Sequence, residues 1–148
     1  MRFMVIVKAS PESEAGVLPS EKDLTEMGKF NEELVKAGVM LAGEGLQASA
    51  KGARIRFEGK RRTVVDGPFA ESKELVAGFW VWQTKSKEEA IEWAKRIPFQ
   101  EGEVEIRQVF ENEDFGDALT PEIAALEERL RKQSGYAERN ADEGRASL

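Results

Sequence analysis

The stretch Leu-Val-Ala-Gly-Phe-Trp-Val-Trp-Gln-Thr, residues 75–84, is the most apolar strand that the sequence predicts. Side chains alternate between the two faces of a β-strand. Residues 75, 77, 79 and 81 therefore share one face, 76, 78, 80 and 82 share the other, and both sets are apolar. Residues 2–8, RFMVIVK, show the same two-faced pattern. Because strands of this kind are buried on both sides, the sequence predicts a sheet that is covered on both faces.

Capping signals on either side of these strands predict three helices. Ser20 with Asp23, and Ser86 with Glu89, stand at the N-cap and N3 spacing of a capping box, and apolar residues recur at helical spacing after each pair. A third helix is predicted after residue 120, where threonine is followed by proline. Its apolar stripe is narrow.

The remaining segments complete an α+β fold. Residues 54–57 and 62–65 alternate around a turn at 58–61 and predict a hairpin, and residues 104–110 alternate as a last strand. The order β-α-β-β-β-α-β with a C-terminal helix predicts a ferredoxin-like βαββαβ core with an extra hairpin strand. Two helices cover only one face of such a sheet. A second copy of the sheet, giving a face-to-face homodimer, is the simplest cover for the other face, and the C-terminal helix is the alternative.

Length and composition limit the classes of function. The 148 residues fit one main domain, predicted over 1–110, followed by an acidic linker, the C-terminal helix and a mobile tail over 111–148. The absence of cysteine and histidine excludes disulfides, thiolate metal sites and Ser-His triads, and we expect no metal or cofactor. A net charge of −6 disfavours nucleic acid. No apolar run is long enough for a membrane helix, which predicts a cytoplasmic protein.

The segment Thr63–Glu74, TVVDGPFAESKE, followed by GFW at 78–80, resembles the DGPF-motif proteins of the YCII-related group, in the dimeric α/β-barrel superfamily. Matching pieces are GEGL at 43–46, AIEWA at 90–94 and EVEIR at 103–107, in the family order. The resemblance spans roughly residues 1–110. It implies a ferredoxin-like fold and a homodimer whose sheets pack face to face.

The resemblance also implies functions. Many DGPF-motif proteins are encoded beside extracytoplasmic-function sigma factors, which implies a small-molecule-binding or accessory homodimer with a sigma-factor-related partner. Some YCII-related relatives are enzymes, including a dehydrochlorinase for which a His-Asp pair is the proposed catalytic centre. This chain has no histidine, so only the aspartate is retained, at Asp66. A cofactor-free enzyme centred on Asp66 and a ligand-free interaction module are therefore the alternatives.

Asp66 and Glu44 are the candidate carboxylates. Asp66 is a general base or polar anchor at a cleft, or else a turn residue that accepts N–H groups from residues 67–69. Glu44, between Gly43 and Gly45, could face Asp66, because paired carboxylates can share a proton; the alternative is an exposed loop residue.

The other candidate residues would surround a small organic ligand. Phe69 and Trp80 would supply apolar rings, and Glu71 and Lys73 a polar rim, unless they belong to a solvated loop. Trp80 shares a strand face with Trp82, which places that pair at the predicted dimer interface. The basic residues of the hairpin form an anion-binding or acidic-partner site, or a solvated face.

Overall fold

The structure is a computed structural model that describes residues 1–70 and 74–134. Glu71, Lys73 and the tail from residue 135 onward, which carry three of the sequence predictions, lie outside the described residues. No helix in the described part of the chain is long and apolar enough to cross a membrane.

The described residues form strands and helices in an α+β arrangement. The strands are β1 (Arg2–Lys8), β2 (Met40–Gly45), β3 (Ala53–Glu58), β4 (Arg61–Asp66), β5 (Val76–Gln83) and β6 (Val104–Gln108). The α-helices are α1 (Pro11–Glu14), α2 (Glu21–Lys36), α3 (Lys87–Ala94) and α4 (Pro121–Gln133), and short 3₁₀ segments cover Ser49–Lys51 and Asn112–Ala118.

Four strands form an antiparallel sheet in the order β2-β5-β1-β6. The central strands align Phe3 with Trp82 and Val5 with Trp80. Among the described residues, strands β3 and β4 pair only with each other, with Ile55 opposite Val64. The predicted hairpin is therefore present, but as a separate two-stranded sheet, and it adds no strand to the main one.

The hydrophobic core lies between the main sheet and helices α2 and α3. Trp82, Phe3 and Val5 are almost fully buried there, together with Leu34 of α2. Phe30 of the same helix meets Trp80 and Trp82 edge-on, with ring centroids 6.1 and 6.3 Å apart.

This packing corrects the predicted place of the tryptophan pair. Trp80 and Trp82 lie on the sheet face that α2 and α3 cover, and not at an interface between copies. Strand alternation puts Met4, Ile6 and Phe79 on the opposite face, where all three are partly exposed. A strand that is apolar on both sides does not by itself indicate which side receives the helices. The sequence prediction therefore assigns to the dimer interface the face that the helices cover.

The helix starts follow the capping signals. The Asp23 N–H donates to Ser20 Oγ at 3.1 Å, and the Ser20 N–H donates to Asp23 Oδ2 at 3.2 Å, which completes the predicted box. At α3 the Ser86 hydroxyl accepts from the Glu89 N–H, as the predicted box requires. The Glu89 carboxylate, however, accepts from the N–H of residue 85 instead of the N–H of Ser86, so the second half of the box is replaced. Thr120 caps α4. The short helix α1 lies between β1 and α2 and is not among the three helices that the sequence predicts.

We predict that Leu34→Ala lowers the free energy of unfolding by about 2–5 kcal/mol, because the residue is fully buried under the sheet and its truncation leaves a cavity. Urea denaturation followed by tryptophan fluorescence measures this difference. The neighbouring Val35→Ala is the matched control, since Val35 is on the exposed side of the same helix. Equal losses from both substitutions would contradict the described packing of α2.

Candidate functional site

A cavity of about 270 Å³ opens between helix α2 and strands β2 and β5. Met27 and Asn31 contribute from the helix, Trp80 from β5, and Phe99 from the loop after α3. The remaining described lining residues are Val7, Gly43, Glu44, Gly45, Ala77, Gly78 and Phe79. Glu44 and Phe79 are opposite each other in the strand pairing, and alternation turns both side chains to the sheet face away from α2. A second cavity of about 500 Å³ shares Met27 and Phe99 and continues along the first half of α2.

Two glycines allow the close approach that shapes this cavity. A Cβ on Gly43 would lie 2.8 Å from both Trp80 Cδ1 and Met40 Cε. A Cβ on Gly78 would lie 2.9 Å from the backbone oxygen of Glu44. Because real Cβ atoms do not approach other atoms so closely, only glycine lets the Trp80 indole lie against β2 and lets β2 lie at this distance from β5.

The polar groups of the cavity are few and their positions are defined. The Trp80 indole N–H donates to Asn31 Oδ1 at 2.9 Å, so the amide group of Asn31 keeps its own two N–H donors. Glu44 is exposed at the rim and is the one ionisable residue among the described lining residues, but its side chain alternates away from α2. An apolar cavity with one fixed amide donor group can orient a ligand through a ligand oxygen, such as that of a hydroxyl group.

The predicted site residues divide into two groups. Glu44 and Trp80 line the cavity, whereas Asp66 and Phe69 are absent from its described lining. Asp66 ends strand β4, is exposed, and makes no side-chain hydrogen bond or ion pair within the described residues. Phe69 lies under the Arg54 guanidinium, whose carbon is 3.9 Å from the ring centroid. The structure therefore does not bring the two candidate carboxylates to one cleft.

The Asp-Gly-Pro-Phe segment is instead held by two residues that sequence reasoning missed. Ser49 donates its N–H to Glu14 Oε1 at 3.0 Å and its hydroxyl to Glu14 Oε2 at 2.5 Å. The Phe69 N–H donates to the Ser49 hydroxyl oxygen at 3.1 Å. We call these three residues the Glu14–Ser49–Phe69 clamp. Ser10 followed by Pro11 was the available signal, since it predicts a helix start that positions Glu14.

A close backbone contact supports the same clamp. The Gly67 N–H donates to the Gly52 carbonyl at 3.0 Å, and a Cβ on Gly67 would lie 1.7 Å from the Ser49 carbonyl oxygen. The turn N–H groups of Gly67 and Phe69 are thus satisfied by residues 49–52 rather than by the Asp66 carboxylate, which the turn interpretation had expected. A side chain at position 67 cannot be accommodated without moving this segment.

Lys8 carries the clearest electrostatic shift near the sheet. Its ammonium lies 3.4 Å from Glu74 Oε2 and 3.6 Å from Glu105 Oε1. Burial acts to lower the pKa of Lys8, but the hydrogen bond to Glu74 and the charges of Glu105 and Glu74 together raise it above its usual value. Lys8 therefore stays protonated at neutral pH and cannot act as a general base there.

Comparisons with known proteins identify the family. The family model of the YCII-related domain matches residues 1–113. The chain belongs to the YCII-related domain family. The match covers the six strands in the described part of this YCII-related chain and ends before α4 begins.

Individual relatives are more distant. The YCII-related chain is 29% identical over 77 residues to an uncharacterised protein of Rhizobium meliloti (strain 1021), and the match covers 52% of this chain and 62% of that protein. Among solved structures, it is similar to 5-chloro-2-hydroxyhydroquinone dehydrochlorinase from Burkholderia phenoliruptrix in complex with 2,5-dihydroxybenzoquinone. That similarity has a TM-score of 0.41 and 16% identity, and covers 77% of this chain and 98% of the other.

We predict that Glu14→Ala releases the Asp-Gly-Pro-Phe segment, because Ser49 loses the acceptor of both its hydrogen bonds. The free energy of unfolding should fall by about 1–2 kcal/mol, and the Phe69 amide should exchange faster with solvent. Urea denaturation and hydrogen exchange by NMR measure the two effects. Glu12→Ala, which alters an exposed carboxylate on the same helix, is the control and should change neither. Unchanged exchange at Phe69 would show that the clamp is unimportant.

Proposed function

We propose that this YCII-related protein is a small-molecule-binding homodimer with the ferredoxin-like, face-to-face arrangement of dimeric α/β barrels. The observation that carries the proposal is the cavity between α2 and strands β2 and β5, with its fixed Trp80–Asn31 pair. Two glycines are needed to keep that geometry, and small-molecule sites are concave, mostly apolar and equipped with a few placed polar groups.

The cavity favours a neutral, flat and hydroxylated ligand. Met27, Phe99 and Trp80 offer apolar and aromatic surface, and about 270 Å³ is a volume for a single substituted ring rather than a dinucleotide. The free amide of Asn31 can donate to a ligand oxygen, such as that of a hydroxyl group. Because no basic residue is among the described lining residues, a ligand carboxylate would enter the cavity without a partner of opposite charge and is disfavoured.

The homodimer is proposed from the opposite face of the sheet. Met4, Ile6 and Phe79 lie there, partly exposed, on neighbouring strands of the face that α2 and α3 do not cover. Contiguous apolar surface of this kind is usual at interfaces between subunits. A second sheet packed on this face would bury the three side chains in both copies.

The accessory role with a sigma-factor-related partner remains a proposal from the resemblance. Acid–base catalysis by Asp66, without a cofactor, is the alternative from the same source. No contact of Asp66 in the described residues favours that alternative over binding alone, and the cavity does not include it. Ligand binding without turnover is therefore the function that the geometry supports best.

We predict that hydroquinone quenches the tryptophan fluorescence of the protein saturably and that Asn31→Ala weakens this binding about tenfold. The substitution removes the amide donors and leaves the Trp80 indole N–H unpaired, and one such hydrogen bond contributes about 1.4 kcal/mol to affinity. Isothermal titration calorimetry measures both dissociation constants. Benzoate, which has a similar size but a negative charge, should bind more weakly than hydroquinone.

Asn112→Ala is the matched control for this titration, since Asn112 is exposed and lies outside the cavity lining. Its hydroquinone affinity should equal that of the unmodified protein. Product analysis after long incubation separates the two functions, because a binding protein returns hydroquinone unchanged. Equal affinity of the Asn31 and Asn112 variants would place the ligand elsewhere.

We predict that Phe79→Glu converts the dimer into a monomer, because it places a charge on the apolar face of the sheet. Sedimentation velocity gives the mass of each species. Val17→Glu introduces the same charge at an exposed apolar position outside the sheet, and it should leave the mass unchanged. A Phe79→Glu variant that is folded by circular dichroism and still dimeric would overturn the proposed interface.

A further inference from the structure

One face of the β3–β4 hairpin is apolar and exposed. Ile55, Phe57 and Val64 lie on this face, with 48–69% of each residue accessible to solvent. Arg62 shares the face and places its guanidinium carbon 4.8 Å from the centroid of the Phe57 ring. An isolated two-stranded hairpin is marginal in water, so a face of this kind gains stability when another element packs on it.

Helix α4 presents an apolar stripe of matching size. Ile123, Leu126 and Leu130 recur at helical spacing along it, and each remains 43–52% exposed. At 100° per residue Glu122 and Glu127 flank this stripe, one on each side. An amphipathic helix with an uncovered stripe is the usual complement of an apolar sheet face.

The charges of the two elements are opposite. The hairpin, residues 53–66, carries five basic and two acidic residues, and of these Arg62 and Asp66 share the apolar face. Residues 111–128, which lead into α4 and form its first half, carry seven acidic residues and no basic one. Arg62, on the apolar face of the hairpin, would therefore meet Glu122 or Glu127 beside the stripe if the two surfaces were joined.

Within the described part of one chain the two elements do not cover each other, since both apolar surfaces are exposed. The hairpin follows β2, at one edge of the main sheet, beside the strand ends that contain Lys8 and Gly45. Helix α4 follows β6, at the other edge, beside the opposite strand ends near Phe3. Three strand spacings, about 14 Å, separate these edges, and the strand length adds to the distance. The two surfaces thus belong to opposite edges of the sheet in connectivity, and both are exposed among the described residues.

We propose that helix α4 of one copy docks on the apolar face of the β3–β4 hairpin of a second copy, with Leu126 against Val64 and the acidic flanks of the helix against Arg62. The inference rests on the proposed homodimer for its second copy. Three side chains on each element bury too little surface for a stable interface alone, so the contact supplements the packing of the two sheets.

The docked helix would have a consequence for the Asp-Gly-Pro-Phe segment. The opposite face of the hairpin carries Arg54, which stacks on Phe69. A helix from the second copy would hold the hairpin from its other side, so the segment would be supported by both chains. Assembly and the order of this segment would then be coupled.

Crosslinking between single cysteines tests the inference directly, because the natural chain has no cysteine. The full-length variants Val64→Cys and Leu126→Cys are mixed, allowed to exchange subunits, and treated with a short bis-maleimide. The expected result is a covalent dimer in the mixture, with residues 64 and 126 joined in its peptide map, and at least five times less dimer from either variant alone.

Two matched positions control for proximity alone. Thr63→Cys lies on the other face of the hairpin, and Glu128→Cys lies on the side of α4 away from the stripe. A mixture of these two variants should give no covalent dimer above background. Crosslinking equal to that of the 64–126 mixture would overturn the docking proposal.

Sedimentation of the same samples separates the two proposals. A dimer that shows no 64–126 crosslink keeps the sheet interface and overturns the helix docking. The double variant Val64→Cys/Leu126→Cys that becomes linked only within one chain also overturns docking between copies. A monomer throughout overturns the homodimer and, with it, the docking.

Discussion

The structure depends on the aromatic packing between strand β5 and helix α2. Trp80 and Trp82 both point to the helix-covered side of the strand, with ring centroids 5.6 Å apart, and Phe30 of α2 meets both rings. This aromatic cluster fixes where the helix lies on the sheet. It also forms one wall of the cavity between α2 and β2, because the Trp80 indole lies against Gly43 and donates its N–H to Asn31 Oδ1. The core contact and the cavity wall are thus the same side chain.

Much of the fold could be predicted from local signals. Alternation identified β1 and β5, and the serine and threonine caps gave the starts of the three long helices. These signals are reliable because they concern neighbouring residues only. The side of the sheet that takes the helices is a tertiary property, and a strand with apolar residues on both faces does not encode it. That is why the tryptophan pair was assigned to the wrong face.

The candidate site was predictable only in part, for a related reason. Glu44 and Trp80 were chosen from a glycine pattern and an aromatic strand, and the strand pairing of Gly43 with Trp80 brings those signals together at one cavity. Asp66 was chosen from a turn motif, but the path of the turn depends on Ser49 and Glu14, residues distant in sequence. No local pattern in the sequence predicts a hydrogen bond between residues 35 positions apart.

The clamp explains why the Asp-Gly-Pro-Phe segment can be well defined although its hairpin projects from the main sheet. A hairpin that pairs only with itself has few contacts to fix its orientation. Here the chain leaving β4 is tied back to residues 49–52 by two hydrogen bonds, to Gly52 and to Ser49, and Glu14 holds Ser49. The orientation of the hairpin is thereby coupled to α1, which directly follows the central strand β1. Any element that packs on the free face of the hairpin acts on this same connection, and through it on the central sheet.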